Sequence, residues 1–254
     1  MEPALQVAVA AVFPELFTTF LETGVTGRGI SRGLATVDLL SIRDHPVDRR
    51  GSVDDYQFGG GAGMILRPEP LFDTLETVAW REGARVALMT PQGRQLDTDY
   101  ARELAGCRKL IIFCGRYGGV DERFRSQAVT DEICVGEAVV SGGEIPAMYL
   151  LEAVFRWLPG VLGRLESARS DSFATGLLDY PRYTRPAEYR GMKVPEELVS
   201  GNHALVADWR FRQALEKTRR VRPDLLEEND VETMRKRFVE TMKEADRAKE
   251  QDNG

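Results

Sequence analysis

The residues best placed to do chemistry lie where strand-like apolar runs break into glycine. Val139-Val140-Ser141-Gly142-Gly143-Glu144-Ile145-Pro146 closes one such run, Glu132 to Val140, and opens a long amphipathic segment. Paired glycines let a backbone come close to a ligand. The proline suits the first turn of a helix, where its missing N–H costs nothing. Such a turn presents free backbone N–H groups to a small molecule. Two companions precede it: Thr90-Pro91-Gln92-Gly93 after Arg85–Met89, and Gly115-Arg116-Tyr117-Gly118-Gly119 after Lys109–Cys114. Any one of these loops reads first as a tight turn. Three in succession describe one pocket, because open α/β sheets bind ligands beyond the carboxyl ends of their strands.

Nucleotide fingerprints fail. No Gly-Lys-Ser/Thr closes a glycine run, and Gly59–Met64 lacks the Gly-x-Gly-x-x-Gly spacing. Flanked by Asp54, Asp55 and Tyr56, that run is either a substrate loop or a plain connection. Histidine occurs only at positions 45 and 203, neither beside a nucleophile or a carboxylate cluster, so metal ligation and a serine-type triad are both disfavoured. General-base work then falls to a carboxylate. Asp171, in Ser170-Asp171-Ser172-Phe173, is an isolated one, and reads equally as a turn or cap residue. Arg156, inside the apolar stretch Ala153–Leu158, is either the polar face of a helix or an anion partner. Three cysteines at non-metal spacings (107, 114 and 134) fit a reducing compartment, the cytosol being the simplest.

The elements that must carry these loops alternate. Strands are expected at Leu5–Val12, Ala35–Leu40, Arg85–Met89, Lys109–Cys114 and Glu132–Val140. Helices are expected at Pro14–Glu22, Pro68–Arg81, Asp97–Ala105, Asp121–Gln127 and Ile145–Leu158. The pattern is α/β, a mostly parallel sheet with helices on both faces. After Pro159-Gly160 the periodicity fades until His203–Thr218 and Val231–Lys249, two helices, the second capped by Asn229 or Asp230. Expected boundaries are an α/β domain over 1–160, a linker over 161–185 and a small all-α domain over 186–254.

The 254 residues are 43% hydrophobic and 29% charged, enough for a real core. No apolar run approaches the roughly 20 residues of a membrane span. Leu5–Phe13 lacks the basic flank of a signal peptide and reads as a first core strand. A net charge of −6 argues against non-specific coating of nucleic acid, DNA included. Yet Trp209–Arg222 holds six basic residues against one acid, either a placed phosphate-binding patch or a solvated helix face.

Taken together, these strings resemble the bacterial tRNA (guanine-N1)-methyltransferases of the SPOUT class. The matching residues include Val12-Phe13-Pro14-Glu15, Gly24-Val25-Thr26-Gly27-Arg28, Pro91-Gln92-Gly93-Arg94 and Cys114-Gly115-Arg116-Tyr117. They continue through Asp121-Glu122-Arg123, Ser141–Met148, Asp171-Ser172-Phe173, Tyr183-Thr184-Arg185-Pro186 and Ser200-Gly201-Asn202-His203. The resemblance implies a trefoil knot at the end of the α/β domain, built from the three loops. S-adenosyl-L-methionine would be held there by Thr90, Pro91, Gly115, Tyr117, Val135, Gly136, Glu137, Ala138, Val139, Val140, Gly142 and Gly143. It implies a tRNA substrate methylated at the guanine 3′ of the anticodon. Asp171 would be the general base and Arg156 would stabilise O6. It also implies a cytoplasmic homodimer with a composite active site, and Mg²⁺ dependence, although no ligand cage for the metal is legible. Arg185, Arg210, Arg219 and Arg220 would be RNA contacts. Two alternatives stay open: a SPOUT enzyme with another RNA target, and a tRNA-binding homologue with impaired catalysis. One departure bears on the pocket. Where the family usually has Tyr-Glu-Gly, this chain has Tyr117-Gly118-Gly119, leaving Glu137 or Glu144 to compensate.

Overall fold

The computed structural model describes residues 4–81, 83–162, 171–227 and 230–251. The chain forms two compact units, Met1–Gly163 and Arg164–Gly254. Asn229 and residues 163–170 of the expected linker lie outside the described residues.

The first unit is built on a five-stranded sheet: β1 (Leu5–Ala11), β2 (Ala35–Ser41), β5 (Arg85–Gln95), β6 (Lys109–Cys114) and β7 (Asp131–Cys134). A short antiparallel hairpin, β3 (Asp54–Tyr56) with β4 (Met64–Leu66), stands apart from it. The sheet order is β2-β1-β6-β5-β7, and every pairing in it is parallel. Alternating side chains bury on opposite faces, as the two-residue period of a strand requires. Val7, Val9 and Ile112 face one core with Leu150 and Phe155. Ala8, Ala10, Ile111 and Phe113 face the other with Leu71 and Phe124. A sheet covered on both sides needs apolar residues at every position, which is why Leu110–Cys114 is continuously hydrophobic.

The covering helices are α1 (Thr18–Glu22), α2 (Gly24–Ser31), α3 (Pro68–Glu76), α4 (Thr98–Ala105), α5 (Glu122–Ala128) and α6 (Glu144–Phe155). Asp97 and Asp121 cap α4 and α5, accepting the N–H of Tyr100 (2.7 Å) and Arg123 (2.9 Å). Helix α3 stops five residues short of the expected Arg81. Its last turn tightens as Thr77 donates both N–H (3.2 Å) and hydroxyl (2.7 Å) to the Thr74 carbonyl. Helix α2 has three glycines in eight residues, so the apolar period does not reveal it. Packing holds it instead: Thr26 is buried and donates to Glu152 of α6 at 3.1 Å.

Two strand boundaries move, and both moves shape the site. β5 runs on past Met89 to Gln95, but its pairing with β7 jumps from Met89↔Ile133 to Arg94↔Ile133. Thr90–Gly93 therefore bulges out of the sheet. β7 ends at Cys134 rather than Val140, because β5, its only neighbour in the sheet, ends opposite it at Gln95. Residues 135–141 leave the ladder with their N–H groups unspent on a strand partner. Beneath this edge, Asp131 is only 7% exposed and takes bonds from Arg85, Thr130 and Tyr100. Burial works against its charge, yet those three donors hold its carboxyl below the usual range.

In the second unit, Leu177, Tyr180, Trp209, Phe211, Ala214, Met234, Phe238 and Met242 form one core. Stretch 171–185, expected as linker, is thus folded into this unit, and Leu178 donates its N–H to Thr218 Oγ1 at 2.9 Å. The helices His203–Val221 and Val231–Gln251 dominate. A minimal hairpin, Glu188–Tyr189 with Met192–Lys193, adds a β element that the sequence pattern did not suggest. Its two-residue strands are too short for any alternation to register.

Candidate functional site

A cavity of about 500 Å³ opens beyond the carboxyl ends of β5, β6 and β7. Thr90, Pro91, Gly115, Tyr117, Val135, Gly136, Ala138, Val139, Val140, Gly142 and Gly143 all line it, so the structure brings the three expected loops together. Glu137 does not line it and is exposed.

The loops are locked by close backbone approach. Gly143 donates its N–H to the Gly115 carbonyl at 2.7 Å, and Arg116 bridges Gly142 across the gap. A Cβ on Gly143 would sit 2.7 Å from Cys114 Cα and 2.9 Å from the Gly115 nitrogen, so no side chain fits there. Gly93 is pressed still harder on the Glu132–Ile133 peptide, where a Cβ would come within 2.4 Å of Ile133 N. On the opposite side, Gly118 donates to the Met64 carbonyl at 2.8 Å, and Leu66 donates to the Gly119 carbonyl at 3.0 Å. The glycine hairpin of β3 and β4 is therefore tied to the cavity rim, and its Gln57 and Ile65 line the wall.

Charge is sparse and paired. Glu144 at the start of α6 is 1% exposed and accepts from Arg116 Nε at 3.1 Å, while the Arg116 guanidinium rests 4.4 Å from the Phe13 ring centre. This pair staples the Gly115–Gly119 loop to the Ser-Gly-Gly turn and leaves Glu144 committed to Arg116. The carboxylate that does line the cavity is Glu122, one the sequence reading left unassigned. Arg125 beside it donates to both of its oxygens (2.6 and 2.8 Å) and holds its carboxyl below the usual range. The signal for Glu122 is its place at the first position of the helix that follows the 115–119 loop. Burial pushes the Cys114 thiol well up, which keeps it an inert core residue. The wall thus consists mainly of backbone groups and aliphatic side chains, with the hydroxyls of Thr90, Tyr117 and Ser141 and the Cys134 thiol but no histidine among its lining residues. It is suited to position a reactive small molecule rather than to attack one.

The sequence profile of the tRNA (Guanine-1)-methyltransferase TrmD family matches residues 5–228. The chain belongs to this family. A Geobacter sulfurreducens protein named tRNA (guanine-N(1)-)-methyltransferase is 52% identical over 219 residues, 86% of this chain and 89% of its own. Proteins of the same name from Moorella thermoacetica and Staphylococcus epidermidis are 49% and 44% identical over 239 residues, covering 93% and 94% of this chain and 96% and 98% of their own.

The remaining residues expected from the family resemblance lie elsewhere. Arg156 follows the last turn of α6, half-buried, whereas the cavity sits at the first turn. At 1.5 Å per residue it stands roughly 20 Å along the helix from Gly143, too far for its side chain to reach the cavity of its own chain. Asp171 belongs to the second unit, where its carbonyl accepts the N–H of Ala174 at 3.3 Å. The loop it starts is closed by Phe173 N–H to the Leu177 carbonyl (2.8 Å) and Asp179 N–H to Ser172 Oγ (2.9 Å). Arg185 and Arg210 meet at a cavity in the second unit; Arg219 and Arg220 do not line it and stand exposed in the last turn of the same helix as Arg210. The basic run from Trp209 to Arg222 is accordingly split between two places. Among the described residues, no group of three or more His, Cys, Asp or Glu gathers as a metal cage. Nor is any helix there long and apolar enough to cross a membrane.

Proposed function

We propose that the chain transfers a methyl group from S-adenosyl-L-methionine to N1 of the guanine 3′ of a tRNA anticodon. The observation carrying this reading is the backbone-lined cavity at three strand ends in a chain matching the family from residue 5 to 228. A volume of about 500 Å³ lies within the range of small-molecule sites, roughly 300–1,000 Å³. The donor, when bound, supplies an electrophilic methyl on a sulfonium. The Thr90, Gly115 and 135–142 backbones offer its hydrogen bonds, the three loops forming the knot of this class. Glu122, although it accepts from Arg125, is the lining carboxylate that can also accept from the donor's ammonium. Among the described residues, no group of three or more His, Cys, Asp or Glu gathers to hold Mg²⁺.

Guanine N1 carries a proton and is a poor nucleophile until it loses it. Asp171 accepts that proton, and Arg156 offsets the charge that shifts to O6. The substrate base must leave its stack to reach the pocket. Because Arg156 stands a helix length from the cavity of its own chain, the reaction centre is completed by a second copy, which supplies both Arg156 and the base Asp171 to the donor. The exposed apolar side chains beside the cavity fit such a dimer: Val139 (81%), Ile145 (61%) and Tyr149 (57%). A tRNA-modifying enzyme of this kind works in the cytoplasm.

The test is methyl transfer from labelled donor to an unmodified tRNA transcript with two consecutive guanines, the second immediately 3′ of the anticodon, followed by mass-spectrometric identification of the nucleoside. The expected product is 1-methylguanosine. A different methylated nucleoside would move the chain to another RNA target, and tRNA binding without transfer would make it a binding homologue.

A further inference from the structure

The second unit holds a cavity of its own, also about 500 Å³, lined among others by Tyr180, Arg182, Tyr183, Arg185, Leu198 and Arg210. Its chemistry differs from that of the donor pocket. Arg182 donates from Nε to Asp179 at 2.7 Å, so its charge is partly answered. Arg185 is exposed, and Arg210 Nε is buried with no hydrogen-bond partner. A charged donor withdrawn from water without a partner is unfavourable unless a ligand completes it. The Arg210 guanidinium lies 5.1 Å from the centre of the Tyr180 ring, which fixes its plane against an aromatic face. Tyr183 is half exposed at the mouth, backed by Trp209 with ring centres 6.3 Å apart. Leu198 and Val194 give the cavity apolar lining.

We infer that this cavity binds one unpaired nucleotide of the RNA substrate, with its phosphate on Arg185 and Arg210 and its base against Tyr183. An inorganic anion would use the arginines but not the tyrosine and aliphatic surface. A nucleotide uses both, combining a basic groove with a stacking platform as single-stranded RNA sites do. On a chain of net charge −6, attraction to RNA has to be concentrated locally, and this is where two arginines and an exposed ring converge. The inference rests on the tRNA reading above, in which the family resemblance already makes Arg185 and Arg210 RNA contacts, and adds to it a cavity for a single nucleotide with Tyr183 as its stacking face.

The experiment measures tRNA-transcript affinity and steady-state methyl transfer for the full chain and for Arg185→Ala, Arg210→Ala, Arg210→Lys, Tyr183→Ala and Tyr183→Phe. Arg185→Ala and Arg210→Ala are expected to raise Kd and KM for tRNA about tenfold and to lower the salt slope by about one, with kcat and donor KM unchanged. Tyr183→Ala is expected to weaken tRNA binding about tenfold with the salt slope retained, while Tyr183→Phe binds as the parent does. Arg210→Lys should keep the salt slope and recover part of the affinity. Arg185 and Tyr183 are surface residues, so their variants stay informative even if Arg210→Ala unfolds. Kd for tRNA within twofold of the parent in both Arg185→Ala and Tyr183→Ala overturns the nucleotide site. Failure of the unaltered protein to bind or methylate tRNA overturns the tRNA reading itself, a separate result.

Discussion

The two cavities are of similar size and opposite construction. The one in the first unit is walled by backbone and small or aliphatic residues, its few charges already paired. The one in the second unit is walled by arginine and tyrosine side chains, with one guanidinium nitrogen unsatisfied. A pocket of backbone groups is set by chain path, so it selects a small ligand by shape and is nearly indifferent to salt. A pocket of long cationic side chains binds through charge and stacking, and salt weakens it. On the proposed reading, donor recognition and RNA recognition are separated both by unit and by type of force.

Breaking the chemistry without touching either cavity gives the largest effect. Asp171→Asn is expected to lower the single-turnover methyl-transfer rate by about 10²–10⁴-fold, with Kd for donor and tRNA unchanged. Robust methylation by that variant would remove Asp171 as the base.

Removing the brace under the donor pocket comes next. Asp131→Asn leaves Arg85 facing a neutral group in a largely buried position, and should cost about 2–3 kcal/mol in urea unfolding. That is below the usual figure for a broken buried pair because Arg85 keeps Glu103 as a partner. The sign with pH follows from the depressed carboxyl of Asp131. Its stabilisation is present above the unfolded value of about 4 and is lost as pH falls through the lower folded value. The parent's unfolding midpoint should therefore decline more steeply below pH 4 than that of the Asn variant.

Gly143→Ala attacks the donor pocket by shape alone. Its Cβ meets the Cys114–Gly115 backbone, which cannot rotate away, so a loss of about 1–2 kcal/mol is expected, read as a roughly five- to thirtyfold weaker donor Kd. The tRNA affinity should not change. The gentlest comparison alters no residue: raising potassium chloride from 50 to 200 mM should weaken tRNA binding about tenfold and donor binding by less than twofold. Equal salt dependence of the two ligands would erase the distinction between the cavities.

Much of the first unit was legible because its sheet is buried on both faces. Leu110–Cys114 can hardly be anything but a central strand, and the glycine breaks at the β5 bulge and after β6 mark where the sheet opens to the cavity. What escaped depends on contacts distant in sequence. Helix α2 owes its form to packing and not to periodicity. The early end of β7 is dictated by where β5 stops, which no local pattern encodes. In the site, eleven of the twelve donor residues suggested by family resemblance line the cavity, because their backbone path is what the glycines signal. Glu122 and Arg125 escaped, since an acid and an arginine three apart on a short helix look like an ordinary surface pair. The run 171–185 looked like linker because its order comes from docking Leu177 and Tyr180 onto helices that begin more than 20 residues later.

The central claim, that donor pocket and base come from different copies of the chain, is tested most directly by mixing two inactive variants. Gly143→Ala, at a donor concentration too low to fill its damaged pocket, and Asp171→Asn are dissociated, combined in equal amounts and reassembled. 1-Methylguanosine in a tRNA transcript is then quantified. Each mixed dimer would hold one intact pocket facing one intact Asp171, so activity should return to about a quarter of the parent's. A mixture as inactive as its two components would show that each chain builds its reaction centre alone, and would contradict the composite site.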